Sequence, residues 1–133
     1  TERLTVAGQL LTVRDDDVID LAASIMDWKH VRHVPVENAE HELVGLVSYR
    51  QLLRFQAQDL PHGPSHPVAV REVMVADPVT VAPETPTLEA MRIMREQSVP
   101  CLPVAKDRRL VGIVTERDFM PVAARLLEER QRE

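Results

Sequence analysis

At 133 residues the chain suits one compact unit or two very small ones, and 44% hydrophobic with 28% charged residues is ordinary for a globular protein. Its formal charge of −5 offers no general attraction for nucleic acid or an anionic membrane, so both partners are set aside. No apolar run approaches the roughly eighteen residues of a membrane span, no basic-then-apolar leader is present, and Cys101 has no intrachain disulfide partner; a reducing cytoplasm is expected.

The chain opens on Thr1 rather than Met, which suggests processing or excision from something longer. Leu10 to Val13 is the first apolar run. After a turn, Val18, Leu21, Ala22, Ile25 and Met26 fall on one face of a helix, with Asp17 at its capping place. Two short strands follow, Val34 to Val36 and Leu43 to Val47, joined by a turn over Glu37 to Glu42, and a second helix opens at Tyr49. Gln56 to Pro67, "QAQDLPHGPSHP", is rich in Pro, Gly and polar residues and has the composition of a linker. The same grammar then returns. Val79 to Val81 is an apolar start; Thr85 can cap a helix and Pro86 take its first position, with Leu88, Ala90, Met91 and Met94 on the inner face. Leu102 to Val104 and Leu110 to Val114 are the paired strands, and a helix opens at Glu116.

The return is literal in places. Thr12-Val13 recurs as Thr80-Val81, Ile25-Met26 as Ile93-Met94 and Pro35-Val36 as Pro103-Val104, each 68 residues on. Leu43-Val44-Gly45 recurs as Leu110-Val111-Gly112 and Arg50 as Arg117, each 67 on. The slip of one falls in the turn between the two strands, where a loop absorbs a length change. The expected organisation is a first repeat over 1–57, a linker over 58–67 and a second repeat over 68–133. In each, β-α-β-β-α order allows a right-handed parallel crossover followed by an antiparallel hairpin, an α+β arrangement. A unit of this size is marginal alone, and two packed side by side are not.

Two phrases carry the chemistry: "LVGLVSYRQL" (Leu43 to Leu52) and "LVGIVTERDF" (Leu110 to Phe119). Ser48-x-x-Gln51 and Thr115-x-x-Asp118 have the form of capping boxes opening helices. With "VADPVTVAPETPTLEAMRIM", "VPCLPV" and "VRHVPV", they give the doubled chain a resemblance to a tandem pair of cystathionine beta-synthase (CBS) domains, a Bateman module, over roughly Leu4 to Leu127. That resemblance implies two pseudo-symmetric repeats packed as one module, and a homodimer formed through helices. It also implies an adenosine-containing ligand (AMP, ADP, ATP or S-adenosylmethionine) in the cleft between repeats, with no cofactor required. In ligand-binding members the aspartate of the motif binds both ribose hydroxyls and the Thr or Ser lies by the sugar and phosphate, roles that fall here on Asp118 and Thr115. A carboxylate has two acceptor oxygens for two adjacent hydroxyls, and such a role is compatible with capping.

Because each site in such pairs draws on both repeats, the resemblance places Val31, Arg32 and His33 opposite Asp118. Their backbone would meet the purine edge, and Arg32 and partly protonated His33 the phosphate, with Arg117 as a further phosphate donor. Val6, Leu11 and Ile113 would form apolar walls. The related site at Ser48 and Gln51, against Val99, Pro100 and Cys101, is chemically weaker: Gln51 is neutral with one acceptor oxygen, and Pro100 lacks an amide donor. His30, His33 and His41 have no metal-ligand spacing, and no nucleophile, base and orienter arrangement or phosphate loop appears. The expectation is a binding module rather than an enzyme. The alternative is a ligand-independent dimerisation or interaction module of a larger enzyme or transporter, with Thr115 and Asp118 serving only as a cap.

Overall fold

The computed structural model describes residues 11–59 and 67–131. A four-stranded sheet holds β1 (Val13–Arg14), β2 (His33–Glu37), β3 (Leu43–Ser48) and β4 (Val75–Ala76) in that spatial order. A two-stranded sheet holds β5 (Cys101–Lys106) and β6 (Arg109–Thr115). Helices α1 (Ile19–Lys29), α2 (Tyr49–Asp59), α3 (Thr87–Gln97) and α4 (Glu116–Gln131) follow β1, β3, the Val81 bridge and β6. Both expected second helices therefore start at the residues the sequence indicates.

The repeat holds in three dimensions. β1 pairs with β2 in parallel, Val13 opposite Val36, and Val81 makes the matching parallel bridge to Val104. Both hairpins are antiparallel and carry a register shift at the corresponding step, after Val36 and after Val104. One core gathers Val13, Ala22, Met26, Val34, Val36, Val47 and Leu52, and the other their counterparts Val81, Ala90, Met94, Leu102, Val104, Val114 and Phe119. The one-residue slip lies in the hairpin turns. Asp107 and Arg108 both have positive φ, 52° and 67°, which lets a two-residue turn follow the strand twist. The first turn is longer: Asn38 Oδ1 accepts from the Glu40 and Glu42 amides at 3.0 and 2.9 Å, and His41 takes the left-handed conformation. The two turns also meet, as the Leu43 N–H donates to the Arg108 carbonyl at 2.7 Å.

Three features differ from the sequence expectations. Asp17 and Thr85 do not cap their helices; each accepts from the amide three residues back, Arg14 at 2.8 Å and Ala82 at 3.0 Å, and so closes the turn before the helix. Val18 and Pro86 occupy the N-cap positions in extended backbone, so Pro86 sits one place ahead of the first helical residue. The inner face of α1 is Ile19, Ala22 and Met26, with Val18 and Leu21 exposed; on α3 it is Thr87, Ala90 and Met94, with Leu88 exposed. Finally, Val68 and Val70 bury in the first core, and β4 adds to the first sheet through Gly45–Ala76 and Leu46–Val75 pairs. The amides of Val70 and Arg71 donate to the carbonyls of Asp17 and Asp15 and fix that segment on the first repeat.

Candidate functional site

The two strand-to-helix corners hold the residues singled out in the sequence. At the end of β3 the capping box is reciprocal: the Ser48 N–H donates to Gln51 Oε1 at 2.8 Å and the Gln51 N–H to Ser48 Oγ at 3.2 Å. At the end of β6 the Thr115 N–H donates to Asp118 Oδ2 at 2.7 Å, and the Thr115 hydroxyl donates to the same oxygen at 3.3 Å. Thr115 is half-buried and Asp118 exposed in the first turn of α4. Arg117 is exposed beside it, and Ile113 half-buried on β6. Leu11 is half-buried ahead of β1; Val6 lies outside the described residues, as do residues 60–66 of the linker.

The loops before β2 and β5 are built alike. His30 and Ser98 end α1 and α3 in the left-handed conformation, φ 56° and 53°. The next amides, of Val31 and Val99, then reach back to the carbonyls of Met26 and Met94, each at 3.1 Å. Those two N–H groups are used in ending helices, which takes the Val31 amide away from a purine edge. The Arg32 carbonyl accepts from the Tyr49 N–H at 2.9 Å and ties the first loop to the start of α2.

A cavity of about 870 Å³ opens between the repeats. It brings together Arg32 and His33, assigned from the sequence to the Asp118 site, with Ser48, Gln51, Val99 and Pro100 of the other. The sheet register explains the grouping, since His33 stands opposite Ser48 in the β2–β3 ladder. Asp118 and Thr115 are not on its wall, although Glu116 is. Arg50, Leu53 and Arg54 of α2 and Arg95 and Ser98 at the end of α3 also line it, and sequence reasoning missed them. The signal was present: Arg50, Leu53 and Arg54 stand at i, i+3 and i+4 on a helix opened by the box at Ser48.

His33 is half-buried, and its Nδ1 is buried without a hydrogen-bond partner. Burial first, and then the neighbouring Arg32 guanidinium, hold its imidazole below the ordinary 6.5. The partial protonation expected from the sequence at mildly acidic pH is therefore disfavoured. Cys101 is buried at the start of β5, and burial pushes its thiol up to about 11, an inert core sulfur rather than a nucleophile. Among the described residues no three His, Cys, Asp or Glu side chains gather as metal ligands, and no helix is long and apolar enough to cross a membrane.

Known proteins share this arrangement. AcuB of Vibrio cholerae superposes with a TM-score of 0.80 at 32% identity, over 95% of this chain and 92% of that one. CBSX2, solved in complex with AMP, gives 0.75 at 28% identity, over 88% of this chain and 89% of that one. The homoserine O-acetyltransferase of Methanohalobium evestigatum is 31% identical over 121 residues, 90% of this chain but 22% of the enzyme. What is shared with that enzyme is thus a span the length of the two repeats. The CBS domain model matches twice, over residues 6–58 and 70–125, and the chain belongs to the CBS domain family as a tandem pair.

Proposed function

We propose that the chain is a regulatory module that senses an adenosine-containing nucleotide in the cleft between repeats and catalyses no reaction itself. Its repeats are 1–57 and 68–133, joined by 58–67, with residues 68–76 of the second packed on the core and sheet of the first. The observation that carries the reading is the corner at Thr115. Both bonds from Thr115 end on one oxygen of Asp118, Oδ2, so capping and ligation can use different atoms of one exposed carboxylate. Oδ1, with the remaining lone pairs of Oδ2, is then available to two adjacent ribose hydroxyls. Ile113 and Leu11 supply apolar wall and Arg117 meets the phosphate, while Arg32 and His33 line the cavity at Ser48 and are not counted in this site. The AMP complex of CBSX2, similar over most of both chains, supports adenine as the base. A thermal-shift series with AMP, ADP, ATP and S-adenosylmethionine tests it, since a ligand selective for the folded state raises the melting temperature. A rise with at least one of the four is expected; no rise with any of them removes the proposal.

A second reading has its own support. The bonds from Thr115 to Asp118 are those of a cap, and a cap alone needs no ligand. On that reading the module dimerises through its helices and positions an attached or associated effector, as its 22% share of the acetyltransferase's length allows. Exposed apolar side chains on α1, α3 and α4 favour the association itself.

A further inference from the structure

His33 is a titratable group that neither the Asp118 corner nor the cores use, and its surroundings suit only one of its two charge states. It opens β2 opposite Ser48, the residue that ends β3, and its Nδ1 is buried without a hydrogen-bond partner among the described residues. A neutral imidazole tolerates that position, because a ring nitrogen without a proton is only an unused acceptor. An imidazolium carries a proton on both nitrogens, and Nδ1–H would then be a buried donor with nothing to meet. The charges on the same wall add to the conflict. Arg32 precedes His33 on its loop, Tyr49, Arg50 and Arg54 come from α2, Arg95 from α3 and Glu116 from the start of α4, so four guanidinium groups stand against one carboxylate.

The second repeat is an internal comparison. The 68-residue register that relates Pro35-Val36 to Pro103-Val104 sets Cys101 in the place of His33 and Pro100 in that of Arg32. Cys101 likewise stands opposite the last residue of the paired strand, Thr115. Its thiol is buried and pushed up to about 11, so no charge changes there near neutral pH. Only the first corner holds a group of the kind that titrates in that range. What keeps this corner closed is local: the Arg32 carbonyl accepts from the Tyr49 N–H at 2.9 Å and ties the loop before β2 to the first residue of α2. Bringing Nδ1 to water displaces the ring from its wall, and the loop that carries the ring is the one held by this bond.

We infer that His33 is a proton-operated latch at the first corner: with the ring neutral the loop before β2 is held on α2, and protonation releases the Arg32–Tyr49 bond and loosens that side of the cavity between the repeats. The device rests neither on Asp118 nor on any ligand. Burial and Arg32 hold the imidazole below 6.5, so the closed form is fully favoured above 6.5 and loses its advantage as pH falls from 6.5 through the lowered value. The test is NMR on the full chain, following the His33 ring and the hydrogen exchange of the Tyr49 amide, corrected for the intrinsic pH dependence of exchange. The ring is expected to titrate below 6.5. Tyr49 protection should be level above 6.5 and then fall by up to about tenfold per pH unit, the slope of one coupled proton. The Ala105 amide, bonded to the Val81 carbonyl in the second repeat, should keep its protection. His33→Gln should abolish the fall. Arg32→Ala, at an exposed position and with the backbone carbonyl retained, should move the ring's midpoint toward 6.5 and shrink the fall. A ring midpoint at or above 6.5 overturns the latch. So does Tyr49 protection that stays level while the ring titrates, which would mean that the ring turns to water alone, or a fall shared equally by Ala105 or by His33→Gln.

Discussion

Asp118 occupies a position where one side chain has two possible tasks, and substitution separates them. The Thr115 amide and hydroxyl both donate to its Oδ2, so Asp118→Ala is expected to destabilise the fold by about 0.5 to 2 kcal/mol whether or not a ligand binds. If the carboxylate also clamps ribose, the same change removes charge-assisted bonds of roughly 1.5 to 3 kcal/mol each and weakens AMP by tenfold or more. Asp118→Asn sharpens the comparison: it keeps a capping oxygen but loses the charge, so calorimetry should show weak AMP binding in a protein of nearly ordinary stability. Gln51→Ala is the control, with a similar loss of stability and little loss of AMP affinity. AMP binding unimpaired in Asp118→Ala and lost in Gln51→Ala would place the nucleotide in the other half of the pair. His33 gives a pH effect with a definite sign. Its folded pKa is lowered below 6.5 by burial and by Arg32, and the cavity adds Arg50, Arg54 and Arg95 against Glu116. Between the lowered value and 6.5 the unfolded chain binds more protons, so this contribution to stability is present above 6.5 and lost as pH falls through that window. Denaturant melts above and below 6.5 should show a smaller fall for His33→Gln than for the unaltered chain; equal falls would show that His33 is not responsible.

At the scale of elements, what the sequence made legible was local. Ser48 and Gln51 are three apart, and the box they form depends on nothing else in the molecule, so both the box and the start of α2 could be read directly. The parallel pairing of β1 with β2 followed from the order of elements and the handedness of crossovers. The helix starts were harder. Asp17 and Thr85 are good capping residues, yet each lies within reach of an amide three residues earlier, and that local competitor holds them in the turn. Grouping Arg32 and His33 with Ser48 required the β2–β3 register, and the attachment of Val75–Ala76 to the first sheet required the tertiary fold, since two residues carry no periodicity. Gly45 records that attachment. A Cβ there would meet the Met74 sulfur and come within 3.0 Å of the Val75 carbonyl oxygen. The thioether can swing aside, but the backbone oxygen moves only with β4. Gly45→Ala is therefore expected to cost about 1 to 3 kcal/mol in a denaturant melt, as overpacking does, and an unchanged midpoint would mean that β4 does not hold to β3 in solution.

At the scale of the whole molecule, the two cores do not account for all the apolar side chains on the helices. Leu21 on α1 is 44% exposed, Leu88 on α3 55%, and Met120 and Leu127 on α4 69% and 60%. Leu88, Met91, Phe119, Met120 and Ala123 line one groove between α3 and α4 of about 560 Å³. Scattered apolar residues on a surface need no explanation, but a lined groove continuous with exposed leucine and methionine marks an association face. A second copy is the expected occupant, each α3–α4 groove meeting its counterpart about a twofold axis. Light scattering at high micromolar concentration is expected to give twice 15.0 kDa. Leu88→Asp with Met120→Asp places carboxylates against the partner's apolar side chains and should return the mass to 15.0 kDa with the fold intact by circular dichroism. A mass of 15.0 kDa for the unaltered chain, or a dimer indifferent to both carboxylates, would mean that this face serves something other than a second copy.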